Sequence, residues 1–505
     1  MLVGVTFGPA LLAAFSGLLL VFSFPHLGHG TVAWVALAPL LVAVAGASPR
    51  RALRLGLLTG IVHFAGTVYW IPAVVVHFGG LPTPVAWGVH ALLVLVLAMF
   101  PALFAAGLAN LVARHGPLAL FLAPAVWVTT ELGRMYLFTG FPWALVGYSQ
   151  MDMVMLAQTA SIAGVLGVSA LVLLLNAAVA YLLVAGTRAR IAPLAAVALV
   201  WVAAAGFGAW RLADGALLTA GVPLRVAALQ GNIAQDEKWD PQSADAIINT
   251  YLDQTREAVE RGATLVVWPE AATPYPFDRD PRAEDIRAAA RSGGAHLLIG
   301  TTEVSRNQDD ETNYYNAAYL LDAGGGTAAI YRKQHLVPFG EYVPFRDLLF
   351  FVSPLVETVG AFTPGQDATT LPVEGRPIGA AICYEMIYPA LVRELVLAGS
   401  QLLTTVTNDA WYGRSAAPHQ HFQQAAMRAI EEGRFVVRAA NTGISGIVDP
   451  YGRVLVRSAL FQPAVLAGEV RLLDGLTVYG RIGDLPAYVL AFTSIAALVW
   501  RRRER

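Results

Sequence analysis

The sequence predicts a multi-span α-helical membrane domain joined to a soluble domain of layered α/β architecture. Three observations predict it. Of 505 residues, 56 % are apolar and 14 % charged, and mean hydropathy is +0.56, which points to lipid as solvent for part of the chain. The apolar residues are concentrated, since residues 1–211 are apolar stretches broken by short loops. From about 212 onward acids, Asn, Gln and turn residues appear, and short apolar runs alternate with amphipathic stretches, the pattern of an α/β layer.

The membrane domain, 1–211, reads as seven transmembrane helices at about 5–24, 30–47, 53–73, 85–110, 117–133, 155–185 and 191–211. Most reach the roughly 20 residues that a helix needs to cross about 30 Å of hydrocarbon. The fifth is the shortest. The first has no basic stretch before it and reads as a retained anchor rather than a cleaved signal. An eighth apolar span covers 483–500, and the chain ends in the basic tail "RRRER". This makes 483–505 a C-terminal helix and tail, with 212–482 as the soluble domain between. Arg50, Arg51, Arg54, Arg114, Arg188, Arg190 and the four C-terminal arginines fall on one side if eight helices cross, and the opposite loops hold only Arg134. Positive charge marks the cytoplasmic side, so both termini are expected in the cytoplasm and the soluble domain outside it, in the periplasm of a bacterium.

In the soluble domain "LRVAALQGN" (224–232), "ATLVVWPE" (263–270), "AHLLIGTTE" (295–303), "PIGAAICYE" (377–385) and "QLLTTVTND" (401–409) read as buried strands ending in polar groups. Helices are expected over 242–261, 281–292, 389–398 and 418–432. Sites in such folds collect at strand ends and in the loops that follow.

Three of these points carry reactive side chains. Glu270 ends "VVWPE", and Trp268 with Pro269 would desolvate it and raise its pKa, as suits a general base. Lys333 lies in "YRKQHLVPFGEYVPF". It is one of two lysines, with Lys238, among 34 basic residues, and Lys can lose its proton where Arg effectively cannot. Cys383, in "AAICYEM", is the only cysteine, which excludes an intrachain disulfide and any CxxC motif. A helix starting near Pro389 would offer it positive potential. The plain alternatives are a surface acid, a solvated amine and a small buried hydrophobe. Together, an acid that accepts the thiol proton, a thiol that attacks a carbonyl carbon and an amine that stabilises the oxyanion make a workable machine.

At these residues the sequence resembles the nitrilase superfamily, with its Glu–Lys–Cys triad. Over nearly its full length it resembles the apolipoprotein N-acyltransferase family, bacterial inner-membrane enzymes that complete lipoprotein maturation. The resemblance runs through "LFTGFPWALVGYSQ" (137–150), "LQGNIAQDEKWD" (229–240), "VVWPEAATPYPF" (266–277), "TNYYNAAYLL" (312–321), "YRKQHLVPFGEYVPF" (331–345), "AAICYEMIYP" (380–389) and "TNDAWYG" (407–413). It implies an αββα sandwich for the soluble domain and a two-step acyl transfer. Cys383 would take an acyl chain from a phospholipid, typically the sn-1 chain of phosphatidylethanolamine. The α-amine of a diacylglyceryl-cysteine on an apolipoprotein would then receive it. Glu270 would be the base and Lys333 the oxyanion stabiliser. Glu341 would be a second essential acid, orienting Lys333 or the thioester. Tyr384 and Glu385 match supporting positions, and Trp239 and Asn316 match positions near the substrate and the active-site loops. No cofactor or metal is implied, and the enzyme is expected to act as a monomer.

The apolar stretch 345–362 reads as an arm that dips into the outer leaflet and gates lipid entry. His335 reads as a hydrogen-bonding neighbour of the site, and "HQH" (His419, His421) as no metal site. Glu131 and Arg134, near the outer end of the fifth span, are costly in lipid unless paired. They would hold the soluble domain or contact a head group. A net charge of -1 argues against a nucleic-acid partner. The rival readings are a membrane-tethered amidase of small amides with the same triad, and a transporter or receptor with an outer binding domain.

Overall fold

The computed structural model describes residues 8–306, 310, 312–342 and 362–500. The proposed arm at 345–362 falls outside the described residues but for its last residue, as do the first residues of the first span and the basic tail. Two compact units emerge. One comprises Met1–Val76, Leu81–Asp214 and Arg481–Arg505, and the other His77–Gly80 and Gly215–Gly480.

The first unit is helical. Three helices are long and apolar enough to cross a membrane, Thr83–His115, Ala160–Arg188 and Ile191–Leu218. A fourth arises if Pro49–Thr67 and Ile71–His77, bent by 52°, count as one span. The other expected spans are shorter, for local reasons. At 30–47 the chain forms Ala33–Ala36 and Ala38–Ala45, broken at Leu37 two residues before Pro39. The side chain of Asn176 covers the break, accepting from the backbone N–H of Leu37 and Ala38 at 2.8 and 3.0 Å. At 117–133 a short 3-10 turn precedes a helix of 14 residues, Ala123–Tyr136, about 21 Å long. The last helix, Leu485–Val499, has 15 residues. Close packing rests on small residues. A Cβ at Gly56 would meet Pro101 O at 2.3 Å, and one at Gly60 would meet Ala98 Cα at 2.6 Å, so this small-xxx-small face admits the neighbouring backbone.

Glu131 and Arg134 serve their own unit. Glu131 Oε1 accepts the Val146 N–H at 2.9 Å. Arg134 donates to the carbonyls of Phe141, Trp143 and Ala144. Both are buried. The two charges therefore fasten the irregular segment 141–146, whose backbone groups would otherwise lack partners in an apolar surround.

The second unit holds two six-stranded sheets. Its strands are β1 (Val222–Gln230), β2 (Leu265–Val267), β3 (His296–Arg306), β4 (Thr312–Leu321), β5 (Thr327–Arg332), β6 (Leu371–Val373), β7 (Arg376–Ile382), β8 (Leu403–Thr407), β9 (Val436–Ala440), β10 (Gly446–Val448), β11 (Val454–Arg457) and β12 (Ala464–Leu472). The first sheet runs β12-β1-β2-β3-β4-β5 and the second β11-β10-β9-β8-β7-β6. Each has a parallel centre, β1-β2-β3 and β7-β8-β9, flanked by antiparallel strands. The sheets pack face to face through β1 on β9 and β4 on β7. Helices Ala244–Glu260 and Ala283–Gly293 cover the first sheet, while Pro389–Leu397 and Ala417–Glu432 lie on the second. The order of layers is αββα.

The helices form where apolar residues recur at helical spacing. In Ala244–Glu260 the residues Ile247, Ile248, Tyr251, Gln254, Thr255 and Ala258 are buried while Asp253 and Arg256 face out, one face of a 3.6-residue repeat. The central strands are buried on both faces, as parallel strands between layers must be.

Candidate active site

Glu270 and Cys383 stand at the ends of the central strands β2 and β7, and Lys333 follows the edge strand β5. β2 leads through Trp268 and Pro269 to Glu270. Trp268 is fully buried, stacked on Tyr251 with centroids 4.9 Å apart, and its Nε1 donates to Thr255 at 2.9 Å. The strand end is thus locked to the helix beneath it. Gly300 on β3 permits this turn, since a Cβ there would lie 2.4 Å from Pro269 O and 2.6 Å from Glu270 Cα. Ala271 follows with φ +46°, a left-handed conformation that costs a non-glycine residue free energy.

β7 delivers Cys383, itself at φ +53°. It opens a 3-10 turn, Cys383–Ile387, which precedes the helix Pro389–Leu397. The expected helix therefore exists, but the thiol stands a turn ahead of it. Its setting comes from other side chains. The thiol lies within the electrostatic reach of Glu270. The Cys383 carbonyl accepts from His421 Nε2 at 3.0 Å.

Lys333 follows β5, its backbone N–H bonded to Asn316 O at 2.8 Å. Its Nζ is buried and donates to Glu341 Oε1 at 2.8 Å and Glu270 Oε1 at 3.4 Å. Asn316 Nδ2 bridges the same two carboxylates at 2.8 Å each. The second oxygens are held by main chain: Glu270 Oε2 accepts from Asn408 N at 2.9 Å, and Glu341 Oε2 from Val337 N at 2.8 Å.

Charge decides the protonation states. Burial alone would raise the pKa of Glu270, as the sequence led us to expect. The ammonium of Lys333, the bond from Asn316 and the charge of Lys238 outweigh it, and the net shift is downward. Glu270 is therefore an ionised carboxylate, a correction to the expected direction. Burial pulls Lys333 down, but Glu341 and Glu270 overcome it and hold the ammonium above its ordinary range. Burial, then the Glu270 charge, pushes the Cys383 thiol well up. The resting site is a protonated thiol beside a carboxylate that can take its proton.

Glu385 sits beside Cys383 in sequence but is not placed as a base. Its carboxylate accepts from Ile382 N at 2.6 Å, Gln334 N at 2.6 Å, His335 N at 3.1 Å and Tyr331 Oη at 3.0 Å. It ties the Lys333 loop to the turn that carries Cys383. Burial raises it to about 7. Tyr384 is buried beside Tyr388, ring centroids 5.3 Å apart, and His335 lies 3.9 Å from Tyr388. Burial, then Lys333, lowers His335 to about 4, so it is neutral at pH 7. Trp239 is half exposed, on the loop after β1.

Sequence reasoning gave no place in the site to three buried residues, Asp409, Arg438 and His421, the last weighed only as a metal ligand. Asp409 joins Arg438 at 2.8 Å, and its second oxygen lies 3.0 Å from His421 Nδ1. His421 in turn holds the Cys383 carbonyl. Burial and the Arg438 charge lower the His421 pKa. The ring lies between the Cys383 carbonyl at Nε2 and the Asp409 carboxylate at Nδ1, with Arg438 Nη2 3.1 Å from the same Nδ1. An Asp after a strand and a His–Arg pair 17 residues apart give no local sequence signal of this. Among the described residues no group of three or more His, Cys, Asp and Glu could hold a metal.

Residues 225–474 match the carbon-nitrogen hydrolase family, and 16–178 match the apolipoprotein N-acyltransferase N-terminal domain. The chain is 42 % identical to the apolipoprotein N-acyltransferase of Geobacter metallireducens, over 98 % of its own length and 95 % of the relative's. It is 38 % identical to that of Methylococcus capsulatus, over 98 % and 96 %. Among solved structures, an amidase from Nesterenkonia sp. is 23 % identical, covering 55 % of this chain and 98 % of that one with a TM-score of 0.39. The matches in both halves and the full-length identity settle the family: this chain belongs to the apolipoprotein N-acyltransferases.

Proposed function

We propose that this chain transfers an acyl chain from a phospholipid, the sn-1 chain of phosphatidylethanolamine, to the α-amine of the diacylglyceryl-cysteine that begins an apolipoprotein. Glu270 takes the Cys383 proton as sulfur attacks the ester carbon. The ammonium of Lys333 stabilises the oxyanion of the tetrahedral intermediate. Collapse expels the lysophospholipid oxygen, which takes the proton from Glu270, and a thioester remains on Cys383. The acceptor amine then attacks, Glu270 removes its proton, and the amide leaves as the thiol is restored. Glu341 and Asn316 fix Lys333 and Glu270 against each other. Glu385 and Tyr384 hold the nucleophile turn, and Trp239 lies on the substrate side.

The observation that carries this reading is the presence of both matches in one chain: the thiol–carboxylate–amine cluster beside a 16–178 segment of the N-acyltransferase type. A membrane-tethered amidase of small amides would use the same triad but leaves that segment unexplained. The arginine-bearing loops support eight crossings, both termini in the cytoplasm and the catalytic unit in the periplasm, with the enzyme acting as a single chain. The test is transfer from phosphatidylethanolamine to a diacylglyceryl peptide by wild type and Cys383→Ala. Transfer only by wild type is expected. Equal rates would sink the mechanism, and hydrolysis of small amides with no acyl adduct would favour the amidase.

A further inference from the structure

Both lysines of this chain end at Glu270. Elsewhere 32 arginines supply positive charge. Lys333 reaches the Glu270 carboxylate, whereas Lys238 reaches the main chain, its Nζ donating to Glu270 O at 2.9 Å. Lys238 arrives by its own route, on the loop after β1. Its N–H closes a turn onto Ala234 O at 3.0 Å. That loop is fastened to the second sheet: Asn232 N donates to Asn441 O at 2.9 Å, Ile233 N to Asn441 Oδ1 at 2.9 Å, and Asn408 Nδ2 to Gln235 Oε1 at 2.7 Å. A fixed loop thus carries an ammonium to a place where it is 2 % exposed, a costly site for a charge.

Two features give that charge a use. The carbonyl it holds belongs to the Glu270–Ala271 peptide, next to the left-handed conformation of Ala271. The second is charge balance. Glu270 and Glu341 bring two negative charges and Lys333 one positive. Ionising Cys383 puts negative charge on a sulfur that the fields of Glu270 and Asp409 already oppose, and among the described residues Lys238, like Lys333, is a cation whose field reaches both Glu270 and Cys383. We propose that Lys238 is a second functional lysine of this site, a positioning residue that pins the Glu270–Ala271 peptide and supplies the charge that lets the Cys383 thiolate form beside two carboxylates. Burial draws Lys238 down to about 8 against the pull of Glu270 and Cys383, which leaves it charged at neutral pH. A compact ammonium suits a spot shared by one carbonyl and one thiol better than a planar guanidinium fork does.

The inference rests on the acyl-transfer reading only through the shared triad, and its test needs neither lipid nor peptide. Full-length protein in detergent is alkylated with iodoacetamide across about pH 6 to 10, where labelling follows the small thiolate fraction of the raised thiol, and the adduct on its sole thiol is followed by intact mass. In Lys238→Met the onset of alkylation should move up by about one pH unit or more, which is about tenfold slower labelling at neutral pH. Lys238→Arg keeps the charge and should return the onset toward wild type. A Lys238→Met profile that superimposes on wild type, or a Lys238→Arg profile shifted as far as Lys238→Met, would overturn the proposal. Loss of folded protein in both variants would make Lys238 architectural and overturn it too. Failure of wild type to transfer acyl chains while these shifts appear would refute the proposed function and leave this inference standing.

Discussion

At the scale of single residues, position separates two neighbouring acids. Glu270 keeps its carboxylate charged because Lys333 and Asn316 outweigh burial, and it meets the thiol. Glu270→Gln keeps the shape and removes the proposed base. Acyl-adduct formation on Cys383, followed by intact mass with phosphatidylethanolamine, should fall about 10²- to 10⁴-fold. Glu385 is saturated by backbone donors, so Glu385→Gln leaves buried N–H groups facing an amide. The lost acceptor should destabilise by about 1–3 kcal/mol, read as a lower thermal midpoint in detergent. Its titration also has a sign. The folded pKa, about 7, lies above the ordinary 4.5. Between those values the folded state holds the extra proton, so stability falls as pH rises through that window. Glu385→Gln should flatten this slope, and a wild-type midpoint that rises from pH 5 to 7 while the variant's does not would contradict the assignment.

At the scale of elements, the strand ends do the aiming. Gly300→Ala would press a Cβ against the peptide of Glu270. Overpacking of this kind costs about 1–3 kcal/mol, yet acylation should fall by more than the stability change implies, because the base moves. The comparison is between thermal midpoint and acyl-adduct rate; a normal rate in a destabilised protein would show that the approach is not aiming Glu270. These elements were also the most legible in sequence. β2 and β8 lie within the apolar runs read as strands, β1, β3 and β7 overlap theirs and extend one to three residues beyond, and the four helices differ from their expected bounds by at most two residues. Apolar continuity marks a strand buried on both faces, and Glu270 and Cys383 could be found because each ends such a run. β9 could not. It carries Arg438, a charge inside a buried strand, made tolerable by Asp409, a partner 29 residues away that no local pattern reveals. Arg438→Met should therefore cost about 3–5 kcal/mol by stranding that carboxylate, measured by thermal unfolding. The Arg438 charge, with burial opposing it, holds Asp409 near 2, below its ordinary 3.8. The pair's contribution is whole above about pH 4 and is lost as pH falls through 2.

At the scale of the whole molecule, length and hydropathy locate a membrane-type half but overcount its uninterrupted spans. Three helices, or four with the bent pair, are long enough among the described residues. Of the rest, the second is broken at Leu37 ahead of Pro39 and the fifth by a 3-10 turn at Pro117–Leu122, while the first and last are single short helices; composition alone passes over such breaks. Orientation rests on a different signal, the placement of arginine, and it can be tested without reference to span lengths. Thr187, beside Arg188, and Ser292, in the catalytic unit, are both exposed. In a Cys383→Ala background each can be replaced by the chain's only thiol. If basic loops face the cytoplasm, Thr187→Cys should resist a membrane-impermeant maleimide in intact bacterial spheroplasts and react once they are permeabilised. Ser292→Cys should react at once. The reverse pattern would put the catalytic unit in the cytoplasm, on the side opposite to the one that loop charge assigns.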